Sequence, residues 1–231
     1  MLKRALSTGL FAGAAWLVCA QAAHAQQTLN FTLGYFTPLG ADARVEGDVL
    51  NANSTFLTFE VDDFNGASIG GEWLVPFNNF IEGGIGISFS RKSVESVYRD
   101  YVDDLGGEIF QETKLRMLPI AFTIRVVPTG QRSVVQPYFG AGLGIINWRY
   151  SETGEFIDFG AGGEIFHDSF VADGSETGPV ILGGIRFAGR SASGGFEIRY
   201  QKADADLDPR FTAPRLDLGG WTYNGTFGFR F

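Results

Sequence analysis

The sequence predicts an all-β fold: an eight-stranded antiparallel transmembrane β-barrel, wound as an up-and-down meander behind an N-terminal signal peptide. Three observations point there. Eight segments alternate apolar with small or polar residues at a period of two, and no residue on the apolar face is charged. The connections between these segments run alternately long and short. Of the 26 Asp and Glu residues, 23 fall in the four long connections.

Composition bounds the alternatives. The chain has 231 residues, with 32 Gly, 22 Phe, 19% charged residues and a formal net charge of -8. So many aromatics with so little charge exclude a disordered chain. One cysteine excludes a disulfide scaffold and the usual structural zinc sites. Two histidines leave little room for His-based metal or catalytic centres, and the acidic balance argues against a nucleic-acid partner. No motif asks for a cofactor.

Residues 1–25 read as a signal peptide. Lys3 and Arg4 make a basic n-region, Leu6 to Ala20 an apolar h-region, and Ala23-His24-Ala25 a small-x-small cleavage site. Cys19 lies within the h-region behind Val18, where a lipidation site wants a small residue. The mature chain, 26–231, is then a cysteine-free single domain. It offers no run of 18 apolar residues for a helical span.

The strands are expected near 28–37, 67–75, 80–90, 113–127, 135–150, 179–187, 195–201 and 218–231. The first carries Leu29, Phe31, Leu33 and Tyr35 on its apolar face, the second Ile69, Trp73 and Val75, the third Ile81, Ile85, Ile87 and Phe89. The fourth carries Leu118, Ile120, Phe122, Ile124 and Val126, the fifth Phe139, Ala141, Leu143 and Ile145. The sixth follows with Ile181, Ile185 and Phe187, the seventh with Phe196, Ile198 and Tyr200, the eighth with Trp221, Tyr223, Phe227, Phe229 and Phe231. Alternation alone fits a soluble barrel with this face inward or a membrane barrel with it outward. The charges favour the second. Glu72, Glu82 and Glu197, the three acids outside the long connections, share the polar face with Arg125, Arg186, Arg199 and Arg230. Inside a barrel, such charges must pair or cost several kcal/mol each, so a carboxylate–guanidinium network is expected across the lumen.

Connections 38–66, 91–112, 151–178 and 202–217 are long and polar; 76–79, 128–133 and 188–194 are short and rich in turn residues. Bacterial outer-membrane barrels have long external loops and short periplasmic turns, which places both termini in the periplasm. Aromatics cluster near strand ends. Tyr35, Phe36, Phe89, Trp148, Tyr150, Tyr200, Trp221 and Tyr223 are expected to form an external girdle. Phe77, Phe80, Phe187, Phe196, Phe229 and Phe231 are expected to form a periplasmic one.

The chain closes on Trp221-Thr-Tyr-Asn-Gly-Thr-Phe-Gly-Phe-Arg-Phe231. Tyr223, Phe227, Phe229 and Phe231 resemble the recognition signal that the barrel-assembly machinery reads in bacterial outer-membrane proteins. Leu118-Pro-Ile-Ala-Phe-Thr-Ile-Arg125, a short turn and Pro137-Tyr-Phe-Gly-Ala-Gly-Leu-Gly-Ile145 resemble the central hairpin of small barrels of the outer membrane protein W and related outer-membrane β-barrel domain families. The W pattern usually places Pro-Pro-Thr where this chain has Pro119-Ile-Ala, so the broader barrel-domain family carries the expectation. The resemblance implies a monomer in the bacterial outer membrane, in contact with its lipid and lipopolysaccharide. It also implies a structural or narrow-channel role with acidic external loops; the alternatives are an adhesin working through those loops and a lipid A-modifying enzyme.

Candidate chemistry is sparse. His167, in Phe166-His-Asp-Ser169, is the only mature histidine and the only lead toward the enzyme reading; a solvated loop residue is the expectation. The glycines of Gly140-Ala-Gly142-Leu-Gly144 lack the following helix of a phosphate loop and are expected to make room for lumen side chains. Asp42, Glu46, Asp48, Asp62 and Asp63 lack EF-hand spacing and are expected to be solvated. Asn53-Ser-Thr55 is a sequon without expected consequence in a bacterial envelope. Neither a catalytic nor a metal site is therefore predicted.

Overall fold

The computed structural model describes residues 26–231, apart from 159 and 161; the expected signal peptide lies outside the described residues. The barrel strands are β1 (Thr28–Pro38), β2 (Gly66–Pro76), β3 (Ile81–Val102), β4 (Glu108–Val126), β5 (Val135–Asp158), β6 (Glu164–Ala188) and β7 (Ala192–Gln201). A small ribbon, β8 (Asp204–Asp206) with β9 (Arg215–Asp217), precedes the last barrel strand, β10 (Gly220–Arg230). The ring runs β1-β10-β7-β6-β5-β4-β3-β2, with neighbours antiparallel. It closes where Thr28 faces Arg230, and Gln27 and Phe231 exchange backbone hydrogen bonds of 2.8 and 3.0 Å. Around the belt, closure pairs every barrel strand on both sides and leaves no open edge.

Over its lower part, between the short turns and the middle of the strands, the barrel wears its apolar face outward. Leu33 is 70% exposed, and Phe31, Ile69, Ile85, Ile124, Phe139, Ile181 and Phe227 are exposed beside it. Their neighbours in sequence, Asn30, Glu72, Glu82, Thr123, Arg125, Arg186 and Glu197, are buried inside. A surface this apolar and continuous belongs in hydrocarbon, with the polar residues enclosed.

The strands do not stop where the apolar outer face stops. The sequence expectation ends the third strand at 90 and the fifth at 150. The pairing continues to Val97↔Phe110 in β3–β4 and to Asp158↔Glu164 in β5–β6. Crossing a bilayer takes about 9–11 residues of tilted strand, and β5 has 24. The segments 91–112 and 151–178 are thus mostly paired sheet rather than loop.

Beyond the apolar belt the two faces exchange character. Val94, Tyr98, Leu115, Met117, Ile146, Trp148 and Tyr150 are buried inside, whereas Ser93, Glu95, Glu112 and Ser151 lie on the alternate positions. The physical cause is the change of solvent. Where water replaces lipid outside, hydrophobic burial requires the apolar face to turn inward. Phe36, Trp148 and Tyr150, expected in the external girdle, therefore sit inside the barrel. Tyr35, Phe89, Trp221 and Tyr223 are exposed on the outside as expected, as are all six aromatics assigned to the opposite girdle.

Candidate functional site

The lumen is the natural place to seek function, and it is filled by two chemistries stacked along the axis. In the belt region the filling is ionic. Arg125, at 0% exposure, places Nη2 2.5 Å from both oxygens of Glu72 and 3.0 Å from Glu197 Oε2. Arg199 Nη2 lies 2.9 Å from Glu197 Oε1 and 3.3 Å from Glu72 Oε1. The hydroxyl of Tyr138 donates to Glu197 at 3.1 Å, and its ring lies 5.0 Å below the Arg125 guanidinium. Two carboxylates and two guanidiniums thus form one closed quartet.

A second layer lies toward the short turns. Arg186 holds Glu82 through both Nη atoms, at 2.9 and 3.2 Å, and donates Nε to Gln136 at 2.8 Å. Gln131 completes it by donating to Glu82 at 2.7 Å. Six of the seven residues expected in a lumen network are therefore brought together in two groups. Arg230 is the correction. Although it shares their strand parity, it lies at the rim, where it donates to the carbonyls of Gly189 (3.0 Å) and Gln131 (3.3 Å). Among the described residues it forms no ion pair. Parity places a side chain inside; only its height along the tilted strand decides whether a partner is within reach.

Glycines make the ionic layers possible. A Cβ on Gly184 would meet the Tyr138 ring at 2.7 Å, and one on Gly142 would strike the Phe122 carbonyl. Gly140 and Gly142 lie on the strand facing Arg125 and Thr123, so they serve close packing rather than phosphate binding.

Above the belt the filling is apolar, and the first long connection supplies much of it. A short helix, α1 (Val49–Asn53), carries Val49 and Leu50 into the barrel mouth, followed by Leu57, Phe59, Val61 and Phe64. They pack on Leu115, Met117, Ile146, Trp148 and Tyr150 from the wall and on Leu216 and Leu218 from the last long connection. Asp48 caps α1 by accepting from Asn51 N and pairs with Arg44 at 2.6 Å, both side chains fully buried. Asp48 also accepts from Asp217 N at 2.7 Å, and Asp217 accepts from Val45 N at 2.9 Å, which ties the first connection to the last. Thr58 N donates to Val97 O, and Arg99 N to Phe56 O, which tie it to the edge of β3. Asp48 is thus a structural anchor rather than the solvated acid expected from sequence.

Glu152 lies buried in this apolar region without an ion pair among the described residues. Glu152 accepts from Tyr150 Oη and Asn53 Nδ2, each at 2.6 Å. Burial pushes its carboxyl above the ordinary carboxylate range, partly offset by these two donors. Asn53 of the sequon is consequently buried and engaged.

His167 lies in β6, opposite Glu155. It shares a strand face with Ser169, whose hydroxyl lies 2.8 Å from Thr153 Oγ1, and Asp168 falls on the other face. These three residues do not converge. Two hollows of about 840 and 480 Å³ lie on the apolar wall, beside Phe31, Leu33, Ile69 and Gly71 and beside Trp73, Ile85, Phe122 and Leu143. Tyr223, Phe227, Phe229 and Phe231 all project outward, with Phe227 and Phe229 edge to face at 5.0 Å.

Neither a protein-family profile nor a curated protein sequence matches the chain. Solved structures do. The outer membrane protein OprG from Pseudomonas aeruginosa superposes with a TM-score of 0.53 at 13% identity, over 90% of this chain and 96% of that one. Neisserial surface protein A gives 0.48 at 10% identity, over 89% and 97%. Outer membrane protein W of E. coli gives 0.42 at 14%, over 90% and 100%. At 13% identity, what the chain shares with OprG is the β-barrel fold.

Proposed function

We propose that the chain is an integral protein of the bacterial outer membrane, with its short turns and termini in the periplasm, that works through its external half rather than by passing solutes. The observation that carries this is the double filling of the lumen. A solute would have to part the Glu72–Arg125–Glu197–Arg199 quartet and then displace Leu50, Leu57, Trp148 and Tyr150. An eight-stranded barrel is just wide enough for side chains to fill. The narrow-channel reading finds least support here. The barrel instead holds a rigid, acidic projection of paired strands above the membrane.

A second reading, contact with another surface, draws on the tip of the β3–β4 hairpin. Leu105 is 96% exposed there, with Val102 and Phe110 exposed nearby. Apolar side chains held clear of the membrane in water suit binding rather than folding. No catalytic role is assigned, since His167, Asp168 and Ser169 do not converge.

Folded protein in planar bilayers tests the closed barrel. Flat current traces are expected across physiological voltages. Reproducible unitary conductance that disappears in Arg125→Met would replace this reading with a channel.

A further inference from the structure

We propose that three arginines on the outer wall, Arg91, Arg116 and Arg149, form a binding site for the phosphates of lipid A, the phosphorylated glycolipid of the outer leaflet. This rests on the external assignment of the long connections made above.

The register brings the three together. Arg91 faces Arg116 across β3–β4, and Arg116 faces Arg149 across β4–β5. Neighbouring strands lie about 4.8 Å apart, so three cationic side chains leave the wall within about 10 Å. All three are exposed on the outward face, continuing the series that ends in Phe89 on β3, Leu118 on β4 and Ile145 on β5.

Like charges directly opposite one another destabilise a sheet, and the chain offsets these only in part: Glu112 feels the charge of Arg91 but is bonded to Lys114. None of the three forms an ion pair among the described residues. The nearest acids are occupied or set apart. Glu112 is held by Lys114 at 3.1 Å, and Asp173 stands opposite Arg149 without pairing to it. A row of guanidiniums without ion pairs among the described residues calls for an external anion, and the planar fork of arginine suits phosphate oxygens.

The height of the row identifies the anion. Immediately below it the outward residues are Phe89 on β3 and Leu118 on β4, while on β5 Asn147 separates Arg149 from Ile145; immediately above, they are Ser93, Glu95, Lys114 and Ser151. The inward face changes near the same level: the apolar filling begins at Met117, the neighbour of Arg116, on β4 and at Ile146, two positions below Trp148, on β5. The row therefore lies where acyl chains end and phosphorylated headgroups begin. It offers those phosphates direct contact, while the acidic connections above would need divalent cations to approach them.

The test uses the folded mature protein in nanodiscs. Affinity is measured for lipid A carrying both phosphates and for its fully dephosphorylated form, with wild type, with the triple variant R91Q/R116Q/R149Q and with the control R132Q/R190Q. Wild type and control are expected to prefer the phosphorylated form at least tenfold, and the triple variant to lose that preference. The proposal is overturned if wild type binds both lipids within twofold, a comparison that needs no variant. It is equally overturned if the triple variant, inserted normally, keeps the preference. Wild type that fails to enter a bilayer overturns the membrane reading and this inference with it. Wild type that inserts but ignores the phosphates overturns this inference alone.

Discussion

The two halves of the lumen solve one packing problem with opposite chemistries. In the belt the interior is charged, with three carboxylates matched to three guanidiniums. Above it the interior is apolar, and Arg44–Asp48 is a single buried ion pair at its margin. The difference teaches that outside solvent dictates inside chemistry. A strand wall has only two faces, so lipid on one side sends the polar residues to the other, and water reverses the assignment. The lower half holds together by interactions that are costly to break singly; the upper half holds together as a soluble core does.

Single truncations should separate the two regimes, and the largest effect is expected at Arg125. Arg125→Met leaves Glu72 and Glu197 short of their buried cation, and breaking such a pair costs about 3–5 kcal/mol. Urea unfolding in lipid vesicles, followed by tryptophan fluorescence, reads this loss. Removing Glu72 as well, as Gln, should cost less than the sum of the two single changes. If the double change is additive, the quartet is not one unit.

Next comes the apolar half. Leu57→Ala removes a fully buried side chain and should cost about 2–4 kcal/mol. The loss should appear as protease sensitivity of the 38–66 segment while the belt stays folded. Equal loosening of both halves would show that the two fillings are not independent.

Glu152 provides a pH test. Its folded carboxyl titrates above the ordinary value of 4.5. Below 4.5 both states are protonated and its contribution is greatest. As pH rises from there toward the folded value, the unfolded state gives up its proton first, so stability falls. Glu152→Gln should flatten this decline in protease-resistance profiles of the long connections; an unchanged profile would assign the decline to other acids. The smallest effect is expected at the partly exposed Glu112–Lys114 pair. There Lys114→Ala should change stability by less than about 0.5 kcal/mol.

What the sequence made legible follows the same division. The belt was readable because its outer face is free of charge over eight strands. That property set the strand number and the company of Glu72, Glu82, Glu197, Arg125, Arg186 and Arg199, and those enclosed charges, with the alternating connection lengths, set the orientation. The upper half was misread because the apolar outer face was the criterion for a strand, and that face ends at the membrane rather than at the end of pairing. The correcting signal was present in the change of parity, from Ile145 to Ile146, Trp148 and Tyr150 on one strand and from Leu118 to Met117 and Leu115 on another. Likewise Leu57-x-Phe59-x-Val61 inside a nominally polar connection announced a buried segment. Arg230 was beyond reach for a different reason: strand tilt and barrel stagger set its height, and neither is written in local periodicity.

The closing seam has a kinetic consequence. β1 finds one of its two neighbours only in β10, whose pairing partners lie roughly two hundred positions later in the chain. The first strand therefore waits, half-paired, until synthesis of the last is complete. Until the ring shuts, its bare side is an edge of the kind that templates aggregation, so the rate of closure sets how long that edge stays exposed.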